Sequence, residues 1–288
     1  MKPEVQSFFD QDTGTWTHLV QAAGSTQALV IDPVLDYDAT AARITTRSAD
    51  ALLALLTERG LKLAWILETH AHADHLSAGD YLRGRTGAGI AIGRGILDVQ
   101  RHFKTVFGLG DEFRADGSQF DCLLGDGSVL PFAELAIEAI ATPGHTPDSL
   151  SYRIGDALFV GDTFFAPDVG TARCDFPGGD AATLFASIQR LYALPDATRV
   201  FLCHDYPPAG REPRAELSLA EAASTNRQLR RDSERDEFVA FRSKCDATLS
   251  MPRLILPALQ INIRAGALPP ADGNGVHYLR LPLQLPTS

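Results

Sequence analysis

The stretch Thr69-His70-Ala71-His72-Ala73-Asp74-His75 puts three imidazoles and a carboxylate into one short run. Ordinary surface composition rarely concentrates such groups, and imidazole with carboxylate is a donor set of zinc, iron and manganese. Just before it, Leu63-Ala64-Trp65-Ile66-Leu67 is continuously apolar, as a strand buried on both faces would be. In a loop leaving a strand, side chains alternate, so His70 and His72 can project to one side. Asp74 and His75 then turn toward the next element and can face a second position.

Three further clusters follow the same plan: Pro143-Gly144-His145-Thr146, Gly161-Asp162-Thr163 and Cys203-His204-Asp205-Tyr206. Each comes within a few residues of an apolar strand. Strand ends converge at one edge of a sheet, where open α/β sheets bind ligands. A lone His145 or His204 reads as a turn residue, and it is the first cluster that turns them into ligand candidates. Gly144 and Gly161 let the backbone bend beside them. His18, His102 and His277 lack this context and read as structural or exposed.

Working outward, Val5 to Phe9, Thr15 to Val20 and Ala28 to Ile31 predict strands, closed by Asp32-Pro33. Ser48 to Arg59 predicts a helix with a leucine face, stopped at Gly60. Leu76 to Arg85 predicts another helix, and 108–128 a loop with short strands. Leu135 to Ala141, Ser149 to Ile154, Ala157 to Val160 and Val200 to Cys203 predict strands. Asp180 to Leu194 is the clearest helix, with Asp180 as cap and Pro195 as stop. Charged helices are predicted at 216–231 and 234–246, reading as a solvated face or the rim of a homodimer. The proline-bearing tail, 251–288, predicts irregular chain and a strand at Val276 to Leu281. Strands first, then helices alternating with buried strands, predict a layered α/β sandwich. The expected organisation is a catalytic core over 1–210, with 211–288 packed on it as part of the same domain.

Composition sets outer bounds. The 288 residues are 45% hydrophobic and 22% charged, which excludes coiled-coil, collagen-like and largely disordered readings. A net charge of −10 without a basic block argues against nucleic acid and anionic membranes. No apolar run approaches the ~20 residues of a membrane span. Cys122, Cys174, Cys203 and Cys245 have no Cys-x-x-Cys spacing, so a reducing cytoplasm is expected. Cys174 reads as a small buried residue and not a nucleophile.

The set His70-x-His72-x-Asp74-His75, His145, Asp162 and His204 resembles the metallo-β-lactamase superfamily over roughly residues 5–210. The resemblance implies a four-layer αββα sandwich with a metal site at one edge of the sheets. In its dinuclear hydrolases, such as glyoxalase II, His70, His72 and His145 would hold one ion and Asp74, His75 and His204 the other, with Asp162 between. Thr15 to Val20, Glu68 to His75, Gly170-Thr171-Ala172-Arg173-Cys174-Asp175-Phe176, His204-Asp205-Tyr206 and Leu259 to Gly266 are similar to the persulfide dioxygenase branch. Ala166 to Gly170 and Cys174 depart from its mitochondrial type and suit a bacterial one.

That branch implies one Fe(II) per chain on His70, His145 and Asp162. His72, Asp74, His75 and His204 then lie behind the ligands or mark a second-metal position. The implied reaction oxidises glutathione persulfide with O₂ to sulfite and glutathione. Arg173 is the expected fork for a glutathione carboxylate, with Tyr206 at the metal rim and Arg264 as a further substrate contact. The alternative the superfamily offers is a hydrolase of glutathione thioesters with two zinc ions.

Overall fold

A computed structural model of the chain describes residues 2–283. The chain opens with strands β1 (Glu4–Asp10), β2 (Thr15–Gln21), β3 (Gln27–Ile31), β4 (Val34–Asp38) and β5 (Arg43–Thr45). Helix α1 (Arg47–Glu58) leads to β6 (Lys62–Leu67), β7 (Leu76–Ser77) and α2 (Gly79–Thr86). Then come β8 (Gly89–Gly93), α3 (Ile96–Val106) and β9 (Cys122–Leu124). The second half runs through β10 (Val129–Phe132), β11 (Leu135–Ala141), β12 (Leu150–Ile154), β13 (Ala157–Phe159), α4 (Ala181–Tyr192), β14 (Arg199–Phe201) and β15 (Glu216–Ser218). Helices α5 (Leu219–Thr225), α6 (Arg235–Asp246) and α7 (Ile255–Asn262) complete it.

Two six-stranded sheets result, β1-β2-β3-β6-β8-β9 and β10-β11-β12-β13-β14-β15, with a small third sheet β5-β4-β7. Alternation along the strands sorts the apolar side chains into three layers of core. In β3, Ala28 and Val30 face the helices while Leu29 and Ile31 face the other sheet. In β13 and the residue after it, Leu158 and Val160 face helices while Ala157 and Phe159 face the first sheet. A sheet buried on both faces needs such near-continuous apolar strands. The layers are therefore helix, sheet, sheet, helix, as in the αββα sandwich.

Local chemistry fixes the elements that carry the site. The Asp180 side chain caps α4 by accepting from the Thr183 backbone N–H at 2.7 Å, and Leu184, Ile188 and Leu191 bury its inner face. Gly60, at φ 62°, follows the end of α1.

The structure departs from the sequence reading in four places. Leu76 to Arg85 is not one helix: Leu76–Ser77 pairs with β4 before α2 begins at Gly79. The helix expected over 216–231 is strand β15 followed by the short α5. Beyond it, the Asn226 carboxamide turns the chain, accepting from the Gln228 and Leu229 N–H groups. The tail contains helix α7. The strand expected at Val276 to Leu281 does not form, leaving an isolated bridge between Ala271 and His277. No helix of the described residues is long and apolar enough to cross a membrane.

Candidate metal centre

Four loops meet at one edge of the two sheets. The first leaves β6 in the first sheet, and the others follow β11, β13 and β14 in the second. Glycine makes two of these turns. Gly161, at φ 53°, passes so near the first loop that a Cβ would lie 2.7 Å from Thr69 Cβ. At Gly144, φ 133°, a Cβ would run into the backbone of Leu184.

His70, His145 and Asp162 form one group, each offering a ligand atom within 4.8 Å of the others. His145 Nδ1 lies 2.7 Å from the Arg173 carbonyl, to which it donates, leaving Nε2 bare and 3.8 Å from Asp162 Oδ2. His70 Nδ1 lies 3.1 Å from Thr69 Oγ1, and that hydroxyl donates to Asp32 Oδ2 at 3.0 Å. Each imidazole thus has one nitrogen fixed and the other free, the arrangement of a metal-binding histidine. Burial, with the neighbouring charges of His72 and His145, holds His70 well below the usual histidine range, in the neutral form a cation requires.

His72, Asp74, His75 and His204 form a second group of the same kind. Thr15 Oγ1 lies 3.3 Å from His75 Nδ1 and 3.2 Å from His204 Nδ1. His204 Nε2 lies 3.2 Å from Asp74 Oδ2 and 3.4 Å from Asp162 Oδ1. His72 Nε2 is 2.9 Å from Asp32 Oδ1. Burial opposes a charge on His72, but Asp32, aided by Glu68 and Asp74, outweighs it and raises the imidazole to about 9.

A cavity of about 530 Å³ opens over the centre, within the range of a small-molecule site. Its walls include His70, His145, Asp162 and Asp74, with Phe165, Val169, Phe176 and Leu254 as apolar surface. Arg173 reaches this cavity, but its Nε and Nη2 are both bonded to Asp175 at 2.6 Å and its Nη1 to the Ser250 carbonyl. Tyr206 is half exposed at the rim, its hydroxyl 3.3 Å from Asp74 Oδ2 and its ring stacked on His204. Arg264 does not line the cavity. It is buried with its guanidinium 4.4 Å above the Phe113 ring.

Several wall residues carried no sequence signal. Gln228, Arg242 and Arg253 all reach the cavity. The expected solvated face at 216–246 is partly buried: Arg242 and Asp246 pair at 2.7 Å, and Asp246 also accepts from the Cys174 N–H. Arg253 is exposed and makes no ion pair among the described residues. His18 is structural, its ring held between Ser7 Oγ and the Leu202 carbonyl. Asp32, which gathers His72, Thr69 and the Cys203 thiol, carries no sign in the sequence beyond closing a strand.

The sequence profile of the metallo-beta-lactamase superfamily matches residues 11–204, which carry all four loops. The chain belongs to the metallo-β-lactamase superfamily.

Within the superfamily, it is 48% identical to "Probable metallo-hydrolase BURPS1710b_2304" of Burkholderia pseudomallei, over 97% of this chain and 98% of that protein. It is 43% identical to "Glyoxylase B2" of Dictyostelium discoideum, over 98% and 97%. The mitochondrial persulfide dioxygenase ETHE1 of Mus musculus is 31% identical, over 70% of this chain and 68% of that one. The crystal structure of ETHE1 from Myxococcus xanthus superposes with a TM-score of 0.72 at 30% identity, covering 92% of this chain and all of the other.

The metallo-β-lactamase centre of this chain suits a cation on its own chemistry. Asp162 Oδ1, His72 Nδ1, His75 Nε2 and His204 Nε2 are buried without a hydrogen-bond partner. Buried polar atoms are normally satisfied, and the unpaired Asp162, His75 and His204 atoms gathered in one place fit a positive ion. The donors allow one ion on the cavity side and leave enough groups for a second behind it.

Proposed function

We propose that the chain is a persulfide dioxygenase acting at a single Fe(II) held by His70, His145 and Asp162. The balanced reaction takes glutathione persulfide, O₂ and water to glutathione, sulfite and two protons. One observation carries this choice over the others. His70, His145 and Asp162 all line the large cavity, whereas of His72, Asp74, His75 and His204 only Asp74 does. The substrate therefore meets His70, His145 and Asp162 together, with Asp74 beside them, while the three remaining histidines lie out of its reach. Fe(II) bound there would supply adjacent open positions for sulfur and O₂ and a route for electrons between them, which Zn²⁺ lacks.

The protein's own part is binding and orientation. The Arg173 carbonyl and Thr69 fix the two ligand imidazoles before any ion arrives. Phe165, Phe176 and Leu254 keep water from the reacting sulfur. Arg253 offers a free cation to a glutathione carboxylate, whereas the Arg173 fork expected for that task is already taken up by Asp175. Tyr206 places a hydroxyl at the rim, beside Asp74.

A second reading, a dinuclear zinc hydrolase of glutathione thioesters, is favoured by the intact His72-Asp74-His75-His204 group and by the hydrolase and glyoxylase names of the 48% and 43% identical relatives. Elemental analysis with an oxygen electrode tests the two against each other. The dioxygenase should hold one iron per chain, take up O₂ in step with sulfite release and stop under anaerobiosis. Two zinc ions per chain and fast anaerobic cleavage of S-lactoylglutathione would establish the hydrolase instead.

A further inference from the structure

A second, small cavity shares part of its wall with the metal centre. Ala73, His145 and Phe176 line both it and the large cavity and so form a wall common to the two. Its other walls are chiefly Ala71, Val99, Phe103 and Leu259, all buried. Pro177 is exposed and marks the outer end, while His145 marks the inner one. The centre of a water-sized sphere has about 20 Å³ of room in it.

That room is enough for one small molecule and far too little for a peptide thiol. Its walls also discourage water. Thr146 Oγ1 is engaged by Ser149 Oγ at 2.6 Å, and His145 Nδ1 by the Arg173 carbonyl. A water there would lack the two to four polar partners it needs, whereas apolar cavities stay dry and take up apolar guests such as xenon. The occupant this chemistry selects is a small apolar gas.

We propose that this passage delivers O₂ to the metal centre from behind, while the persulfide occupies the large cavity. The proposal rests on the dioxygenase reading. Two reactants that must meet at one ion cannot both use a single mouth once the larger has filled it. The shared wall at His145 and Phe176 gives the smaller one a separate entrance.

Crystals of the iron-loaded enzyme under xenon pressure provide the first test. Xenon should appear among Val99, Phe103, Leu259 and His145, and its absence there would overturn the passage. In solution, Val99→Phe should fill the cavity. The KM for O₂ should then rise several-fold, with the KM for persulfide and kcat at saturating O₂ unchanged and the xenon peak lost. An unchanged KM for O₂ in a folded Val99→Phe enzyme would also overturn the proposal. Should that variant fail to fold, xenon in the native enzyme still decides. O₂ uptake by the native iron enzyme without xenon in the cavity removes the passage alone. No O₂ uptake removes the dioxygenase reading, and the passage with it.

Discussion

Asp32 holds a left-handed backbone, φ 49°, at the foot of the metal loop, a conformation that costs a residue with a side chain. Its carboxylate accepts from the Thr69 N–H and lies 2.9 Å from His72 Nε2. His72 is thereby tied backward. We expect His70→Ala, His145→Ala and Asp162→Ala each to strip the iron, while His72→Ala keeps it with affinity weakened about 10- to 100-fold, as for a residue behind the ligands. Metal analysis after dialysis reads this directly, and loss of metal from His72→Ala equal to that from His145→Ala would mean a two-ion site. On the substrate side, the free Arg253 should matter more than the braced Arg173. Losing a charge-assisted bond is worth roughly 1.5 kcal/mol or more, so Arg253→Ala should raise the KM for glutathione persulfide about tenfold or more, with little change in kcat. A larger effect of Arg173→Ala would reverse that ranking. Burial, then the charge of Asp246, pushes the Cys174 thiol up to about 12. At pH 8 it is protonated and closed to solvent, so iodoacetamide should label the partly buried Cys122 and Cys245 first, and Cys174→Ser should leave turnover intact. Rapid labelling of Cys174 with loss of activity would contradict this.

Helix α7 holds the metal loop from outside. The Asn262 carboxamide donates to the carbonyls of His72 and His75 and accepts from the Ser77 N–H, each at 2.8 Å. Asn262→Ala removes three buried bonds worth about 1 kcal/mol apiece and leaves their partners unpaired. It should therefore lower the thermal midpoint and weaken metal binding together; a stable variant with normal iron content would show that the clasp is idle. The sequence hid this helix because Pro257 lies inside its apolar run. In the structure Pro257 falls in the first turn, where the missing N–H has no intrahelical partner to lose. Val276 to Leu281 has strand-like composition, but its backbone finds no partner strand. The convergence of the candidate metal residues was legible because they lie in compact motifs beside apolar strands. The cavity wall was not, because Arg242 reads as solvent-facing until the fold sets it and Asp246 against Thr171 and Cys174, some 70 residues away in the chain. Arg264 shows the converse: a motif position expected as a substrate contact, whose side chain the fold turns onto Phe113.

Across the molecule, the proposed ligand trio joins the two sheets. His70 leaves the first sheet, while His145 and Asp162 leave the second. An ion bound by all three stabilises only the assembled sandwich, by roughly 4 kcal/mol when present at about a thousandfold over its Kd. Chelation should therefore lower the thermal midpoint of the whole protein in a single transition, and calorimetry with and without chelator checks it; an unchanged midpoint would mean the ion adds nothing to the joint. The path of the chain adds an order in time. All strands of the first sheet come from residues 4–124 and all strands of the second from 129–218. Yet Leu254, Ala258, Leu259 and Ile261, among the last packed residues, complete the helical layer over the first sheet. During synthesis the first sheet must wait, its outer apolar strip uncovered, until α7 leaves the ribosome. Asn262 arrives with that helix, so the metal loop is clasped only after every strand of both sheets has been made.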